Sequence, residues 1–218
     1  MIADLEKRII YEKDGLLVLN KPYDLPSTGR KLDDDDCLQY WLIQRQGAMV
    51  WAVHQLDADT SGINLFVTEK KLVKYYKELL EEAQADKQYL AIVHGVPSWK
   101  QCEEHGPIGK VDARSLGIHA EGKTAHSYFE VLGSVKDFSV LKARIFTGRT
   151  HQIRIHLSHL GHPLVGEEWY CDPPCTVHQR QALHCYKIHL PQTDQTFIAP
   201  LAEDLKQLAQ NHGLSQYL

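Results

Sequence analysis

The sequence predicts an α+β fold with a mixed, largely antiparallel central sheet flanked by helices and loops. Three observations carry that expectation. The chain opens on a hairpin pattern, its second half is rich in strand patterns, and its few amphipathic helical stretches are scattered among them. A doubly wound sheet would instead alternate strand and helix throughout. At 218 residues the chain is expected to form one domain, 1–218, long enough to bury a substantial core.

The elements follow in order. RIIYEKD and GLLVLNKP are rich in apolar and β-branched residues and are broken at Asp14-Gly15, the signature of a hairpin. KPYDLPSTGRKLDDDD is a polar loop. CLQYWLIQRQG then sets Leu38, Trp41 and Leu42 at helical spacing and stops before Gly47. The Asp33–Asp36 run is expected to cap that helix, because carboxylates suit a helix N-terminus; an acidic metal site is the alternative. MVWAVHQLD and GINLFVTEK read as two strands with DADTS on the connection between them. KKLVKYYKELLEEAQ is an amphipathic helix with Leu72, Tyr75, Tyr76, Leu79 and Leu80 inward. Lys70, Lys71, Lys74 and Lys77 make its first half positive, a pattern that usually marks only a solvated face. KQYLAIVHG, AHSYFEVLG and FSVLKARIFTG are strands. HQIRIHLSHLG continues the alternation and turns helical. KIHLPQTDQTFIAP is a final hairpin and LAEDLKQLAQNHG a closing helix.

Composition narrows the function classes. Acids outnumber bases 28 to 24, for a net charge of −4, which argues against histone-like coating of nucleic acid but leaves room for a local basic groove. No apolar run approaches the ~20 residues of a membrane helix, and MIADLEKRII lacks a signal-peptide core, so the expected compartment is the cytoplasm, with no membrane association. Five cysteines, an odd number, fit reduced thiols.

Two stretches concentrate chemistry. HQLDADTSG (54–62) sets Asp57 and Asp59 one residue apart before a Thr-Ser-Gly turn. It brushes against the D-x-D-x-T loop of Mg²⁺-dependent phosphotransferases, with Ser61 where that pattern has threonine. GRTHQIRIHLSHLGHP (148–163) interleaves Arg149, His151, Arg154 and His156 with Ile153, Ile155 and Leu157. Arginine forks bind carboxylates and phosphates bidentately, and a structural salt-bridge ladder is the competing reading. CDPPCTVHQRQALHC offers Cys171, Cys175, His178, His184 and Cys185, but without the paired C-x2-C spacing of a zinc site.

From about residue 9 to about 204 the chain resembles the RluA-type RNA pseudouridine synthases. LLVLNKPYDLPSTG resembles their N-terminal strand and NKP loop, and HQLDADTSG their H-R-L-D-x-x-T-S-G catalytic motif. KQYLAIVHG resembles the tyrosine-bearing K-x-Y-x-A-x-x-x-G segment, and GKTAHSYFEVL the Gly-Lys-x-Ala strand. GRTHQIRIHLSHLGHPLVGEEWY resembles the third motif, and ALHCYKIHL with FIAP the closing strands. The resemblance implies a catalytic domain with a central cleft that isomerises uridines in ribosomal or transfer RNA after base flipping. It implies no cofactor or metal and no obligatory protein partner; a monomer is the simple expectation for one domain. It assigns Asp57 as the catalytic carboxylate, Tyr89 as the tyrosine that packs on the base and Arg154 as the arginine that pairs with the aspartate. Asp59 falls on a variable position. His184 falls on a family position, which accounts for one proposed zinc ligand.

The family's usual arginine before Leu-Asp is Gln55 here, which keeps hydrogen bonding but loses charge and the planar fork. His54, Gln55, Lys21, Arg30, Lys123, Arg149 and His151 are the candidate RNA contacts, with Lys70, Lys71 and Lys74 as further phosphate-facing candidates. With no added module before residue 9, the catalytic domain is expected to recognise RNA by itself or with help from a partner. A catalytically inactive RNA-binding protein on the same scaffold is the remaining alternative, motivated by Gln55 and the acidic net charge.

Overall fold

The computed structural model describes residues 4–31, 34–82, 85–113 and 115–218. Strands β1 (Ile9–Lys13) and β2 (Leu16–Lys21) pair antiparallel across Asp14 and Gly15, whose φ angles of 53° and 79° put both turn residues in the left-handed region. That backbone twist matches the strands, as a two-residue hairpin turn requires. Helix α1 (Leu38–Gln46) ends on left-handed Gly47, as expected.

Its start corrects the acidic-cap expectation. The N-cap is Cys37, whose Sγ accepts the Tyr40 N–H, and no acid lies in the first turn. Asp34 turns back instead and accepts the N–H groups of Arg30 and Lys31 at 2.6 and 2.9 Å; Asp33 lies outside the described residues. The physical reason is that the leading helix donors already have partners, because Leu38 N–H donates to the Pro26 carbonyl and Gln39 N–H to that of Ser27.

Strand β3 (Trp51–Ala52) is far shorter than the expected MVWAVHQLD strand, because Leu56 places both its backbone groups on the Ser27 hydroxyl instead of a ladder. Strand β4 (Ser61–Val67) is buried at every position, and helix α2 (Lys70–Glu81) follows. Tyr76, Leu79 and Leu80 of α2 are buried as expected, whereas Tyr75 is 44% exposed. It sits about 90° around the helix from the centre of the Leu72–Tyr76–Leu79–Leu80 stripe.

Strands β5 (Asp86–His94), β6 (Gln101–Glu104), β7 (Ile108–Lys110), β8 (Leu116–Ile118), β9 (Ser127–Val135) and β10 (Phe138–Ile145) come next. Helix α3 (Gln152–His159), strands β11 (Leu183–Leu190) and β12 (Gln195–Ile198) and helix α4 (Glu203–Asn211) complete the order. Arg154 therefore lies on a helix from the outset, not on an alternating strand. Residues 152–157 are buried consecutively, and a helix buried all round has no polar face to reveal its period.

The chain divides into two compact units, each made of two segments: Met1–Asp86 with Cys185–Ala202, and Lys87–His184 with Glu203–Leu218. In the first, the strands lie in the order β1-β2-β4-β11, with β3 on β4 and β12 on β11. Leu5, Leu17, Leu19, Leu38, Leu42, Val50 and Phe66 pack α1 against that sheet. In the second, the order is β5-β10-β9-β6, with β7 and β8 forming a separate hairpin. Ile155 of α3 packs there with Ile108 and Ala125, and the pair Arg180–Asp204 ties α4 to the chain before β11. The α+β class is as expected, with antiparallel pairing in the registers described. Among the described residues, no helix is long and apolar enough to cross a membrane.

Candidate active site

In the first unit, the segment carrying Asp57 is held on both sides. Before it, Leu56 N–H donates to Ser27 Oγ at 3.0 Å and the same hydroxyl donates to the Leu56 carbonyl at 3.1 Å. After it, the Ala58 carbonyl accepts from Lys21 Nζ at 2.8 Å and from Leu25 N–H at 3.3 Å. Thr60 N–H closes the turn onto the Asp57 carbonyl at 3.0 Å. Thr60 and Ser61 are buried, and Gly62 sits at φ 110° against Cys185, where an added Cβ would lie 2.2 Å from the Cys185 carbonyl oxygen. The Thr-Ser-Gly bend is thus a close backbone approach that only glycine permits. Asp57 is half-buried, and the backbone groups on either side of it are hydrogen-bonded.

Lys21 corrects one expectation. It is 0% exposed, and its ammonium donates to the carbonyls of Pro22, Leu25 and Ala58 at 2.9, 2.7 and 2.8 Å. A lysine enclosed in this way cannot face phosphate; it braces the turn from below. The pattern missed this because a lysine beside proline reads as a surface residue. His54 is half-buried, with Nε2 accepting the Leu65 N–H at 3.3 Å and its carbonyl accepting from Asn64, so β4 fixes the ring. Gln55 and Arg30 are exposed, and Gln55 Nε2 donates to Thr28 Oγ1 at 2.7 Å.

In the second unit, Tyr89 on β5 is buried opposite Ala143 of β10. On α3, Arg154 Nε and Nη2 donate to the two oxygens of Glu167 at 2.8 and 2.7 Å, with side-chain exposures of 6% and 0%. The Trp169 and Tyr170 N–H groups also donate to Glu167, and both rings lie over the guanidinium, 5.1 and 5.3 Å from its carbon. Burial pushes the Glu167 carboxyl up, but the Arg154 hydrogen bonds and charge outweigh it and hold the group below the ordinary range. Glu167 is the residue that sequence reasoning passed over. Its signal was a glutamate directly after Gly166, whose Cβ would strike the Arg180 carbonyl.

Around α3, His151 caps the helix in the left-handed region and shares a 2.7 Å hydrogen bond with the Tyr170 hydroxyl. Arg149 Nε donates to the Thr124 carbonyl, and Lys123 is exposed. The cysteine-histidine stretch is engaged in other contacts. Cys175 Sγ meets His94 Nε2 and the Gly166 N–H, His178 bonds Asp204, and His184 and Cys185 are buried. Among the described residues, the side chains that come together as possible ligands are Glu103, His105 and His126, within 4.8 Å. The two imidazoles stack at 4.1 Å with planes 22° apart, and both Nε2 atoms lie against the same Glu103 oxygen, at 3.1 and 3.3 Å.

Comparison with known proteins places these features in context. The RNA pseudouridylate synthase family model matches residues 15–159. A ribosomal large subunit pseudouridine synthase C from Haemophilus ducreyi is 32% identical, over 94% of this chain and 69% of its own length. An uncharacterised RNA pseudouridine synthase from Bacillus subtilis is 31% identical, over 93% and 72%. Among solved structures, human RNA pseudouridylate synthase domain containing 4 superposes with a TM-score of 0.81 at 22% identity, covering 97% of this chain and 95% of that one, which shows the fold. Human RNA pseudouridylate synthase domain containing 1 gives 0.75 at 26% identity, covering 98% and 96%.

Proposed function

The chain belongs to the RNA pseudouridylate synthase family, and from that premise we propose that it isomerises specific uridines of ribosomal or transfer RNA with Asp57 as its catalytic carboxylate. The observation that carries the assignment is the bracing of Leu56 by Ser27 and of Ala58 by Lys21, which immobilises the backbone on either side of Asp57. Pre-organisation of this kind matters because a reacting group displaced by about 1 Å can lose roughly 10²-fold in rate.

The chemistry asks little else of the protein. The C1′–N1 bond breaks, the uracil turns while held, and a C1′–C5 bond forms. The C5 proton leaves and N1 ends protonated, so nothing is oxidised and no group is lost. Asp57 acts as an ionised carboxylate, by attack on the sugar or the base or by assisting elimination at the sugar. Tyr89 stacks on the detached uracil and limits its motion. The family resemblance assigns Arg154 as the partner of the aspartate, and Glu167 already balances its charge through two hydrogen bonds. The target uridine leaves its stack to be read, and Arg30, Lys123 and Arg149 grip the phosphates around it. A cytoplasmic monomer fits this reading.

Tritium release from 5-tritiated uridine in ribosomal RNA, with EDTA present, tests the proposal. Release is expected to survive EDTA, to vanish in Asp57→Asn, and to stay within about threefold in Asp59→Asn. EDTA-sensitive phosphate release would favour the phosphotransferase alternative, and RNA binding without either activity the inactive scaffold. Equal losses in the two asparagine variants would overturn the single-carboxylate assignment.

A further inference from the structure

We propose that the groove along α2 is a second RNA-contact surface, which takes a single-stranded segment flanking the target uridine. The proposal rests on the RNA-directed reading above and adds where the flanking strand lies. The groove, about 720 Å³, is confined to the first unit. Trp51 and Gln55 line it together with Thr28, and Lys70, Lys74 and Lys77 of α2 line it as well.

Each feature suits a nucleic-acid strand. The three lysines recur at i, i+4 and i+7, so they share one face and span about 10 Å along the helix axis. All three are exposed, while α2 buries Tyr76, Leu79 and Leu80. Their sign is wrong for helix stability, since cations in the first turns oppose the helix dipole, and the one acid at that end, N-cap Glu69, is paired with Lys71. Lys74 meets Glu78 at 3.7 Å, but with the side chains 86% and 62% exposed the pair is weak and yields readily to a phosphate.

Trp51 supplies what a charged helix face alone lacks. Its half-buried indole is anchored on a two-residue strand and borders the groove, and an aromatic ring beside lysines is the pairing that binds single strands through base stacking. Gln55 lies two residues before Asp57, offers both a donor and an acceptor, and connects this surface to the catalytic turn. Glu78 and Glu81 line the groove toward the C-terminal end of α2 and repel phosphate there, which bounds the contacted strand on that side. In a chain of net charge −4, such a local basic run is where an RNA flank is held.

The test titrates fluorescein-labelled oligouridylate into the full chain over a salt series. The variants are Lys70→Gln/Lys74→Gln/Lys77→Gln, Trp51→Ala and Trp51→Phe, each checked for unchanged thermal melting. The triple variant is expected to bind roughly 10- to 100-fold more weakly, with its log–log salt slope reduced by about 2, as three single-strand phosphate contacts at ~0.7 each require. Trp51→Ala is expected to lose roughly 5- to 150-fold and Trp51→Phe to recover most of it. An unchanged salt slope in the triple variant overturns the proposal, as does polyglutamate competing as well as RNA of equal charge. Binding is read without turnover, so the two readings fail separately. A chain that binds through these residues but releases no tritium refutes the isomerase and supports the groove. Intact tritium release with unaltered binding by the triple variant refutes the groove alone.

Discussion

Glu167→Gln is the substitution that weighs most on the α3 geometry. The carboxylate takes two arginine donors at 2.8 and 2.7 Å and two backbone N–H groups at 3.0 and 3.3 Å, three of these four on Oε1. An amide with its oxygen at the Oε1 position keeps those three, but its NH₂ then faces Arg154 Nε, donor against donor. One charge-assisted bond is lost, and a guanidinium only 6% exposed is left without its counter-charge. Neutralising one partner of a buried pair costs about 3–5 kcal/mol. For a chain of this length that is a fall in Tm of roughly 6–20 °C. Denaturant melts should show the loss, with exposed Glu168→Gln as the neighbouring control, expected within about 0.5 kcal/mol. In a double-mutant cycle with Arg154→Met, Glu167→Gln should cost far less once the guanidinium is gone. Under the proposed role of Arg154 as the aspartate's partner, tritium release should fall roughly 10²-fold in kcat. A stability loss under about 1 kcal/mol, or one matched by Glu168→Gln, would refute the reasoning.

Other expectations follow from the same contacts. Lys21→Met removes a charged donor from three buried carbonyls and should cost about 3 kcal/mol in urea melts, with a fall in kcat as the Ala58 carbonyl is released. Gly62→Ala drives a Cβ into the Cys185 carbonyl at a left-handed φ, and should yield little folded protein by circular dichroism. Burial pushes the Asp204 carboxyl up, yet its hydrogen bonds from His178 and Arg180 prevail and bring it from 3.8 to about 2. Its contribution to stability is therefore complete above 3.8 and lost as pH falls toward about 2; Asp204→Asn should remove that part of the acid transition in pH-dependent melts. Gln55→Arg should tighten RNA binding and steepen the salt slope by about 0.7 in the same titration used for the groove.

The legible part of the fold was local. Asp14-Gly15, the Leu38–Leu42 spacing and Gly47 announced their elements because turn conformations and amphipathic periods depend on neighbours in the chain. The α2 stripe was legible for the same reason, and Tyr75 was misplaced only because it borders that stripe. Helix α3 was harder, since burial on every side erased the period that would have identified it.

The candidate site divides along the same line. By itself the sequence determined which residue types stand where: one aspartate before a Thr-Ser-Gly bend, a tyrosine on a strand, an arginine in the third motif, and a glutamine where the motif it resembles has arginine. Family membership is legible at that level because several motifs recur in order over most of the chain. Only the tertiary structure decided which way the polar groups point. It turned Lys21 inward to brace the aspartate turn, gave Arg154 a buried glutamate thirteen residues on, capped α1 with a cysteine sulfur, and set Trp51 beside the α2 lysines. A buried charge must find its partners wherever the packed chain supplies them, and those partners lie at separations that no local pattern encodes.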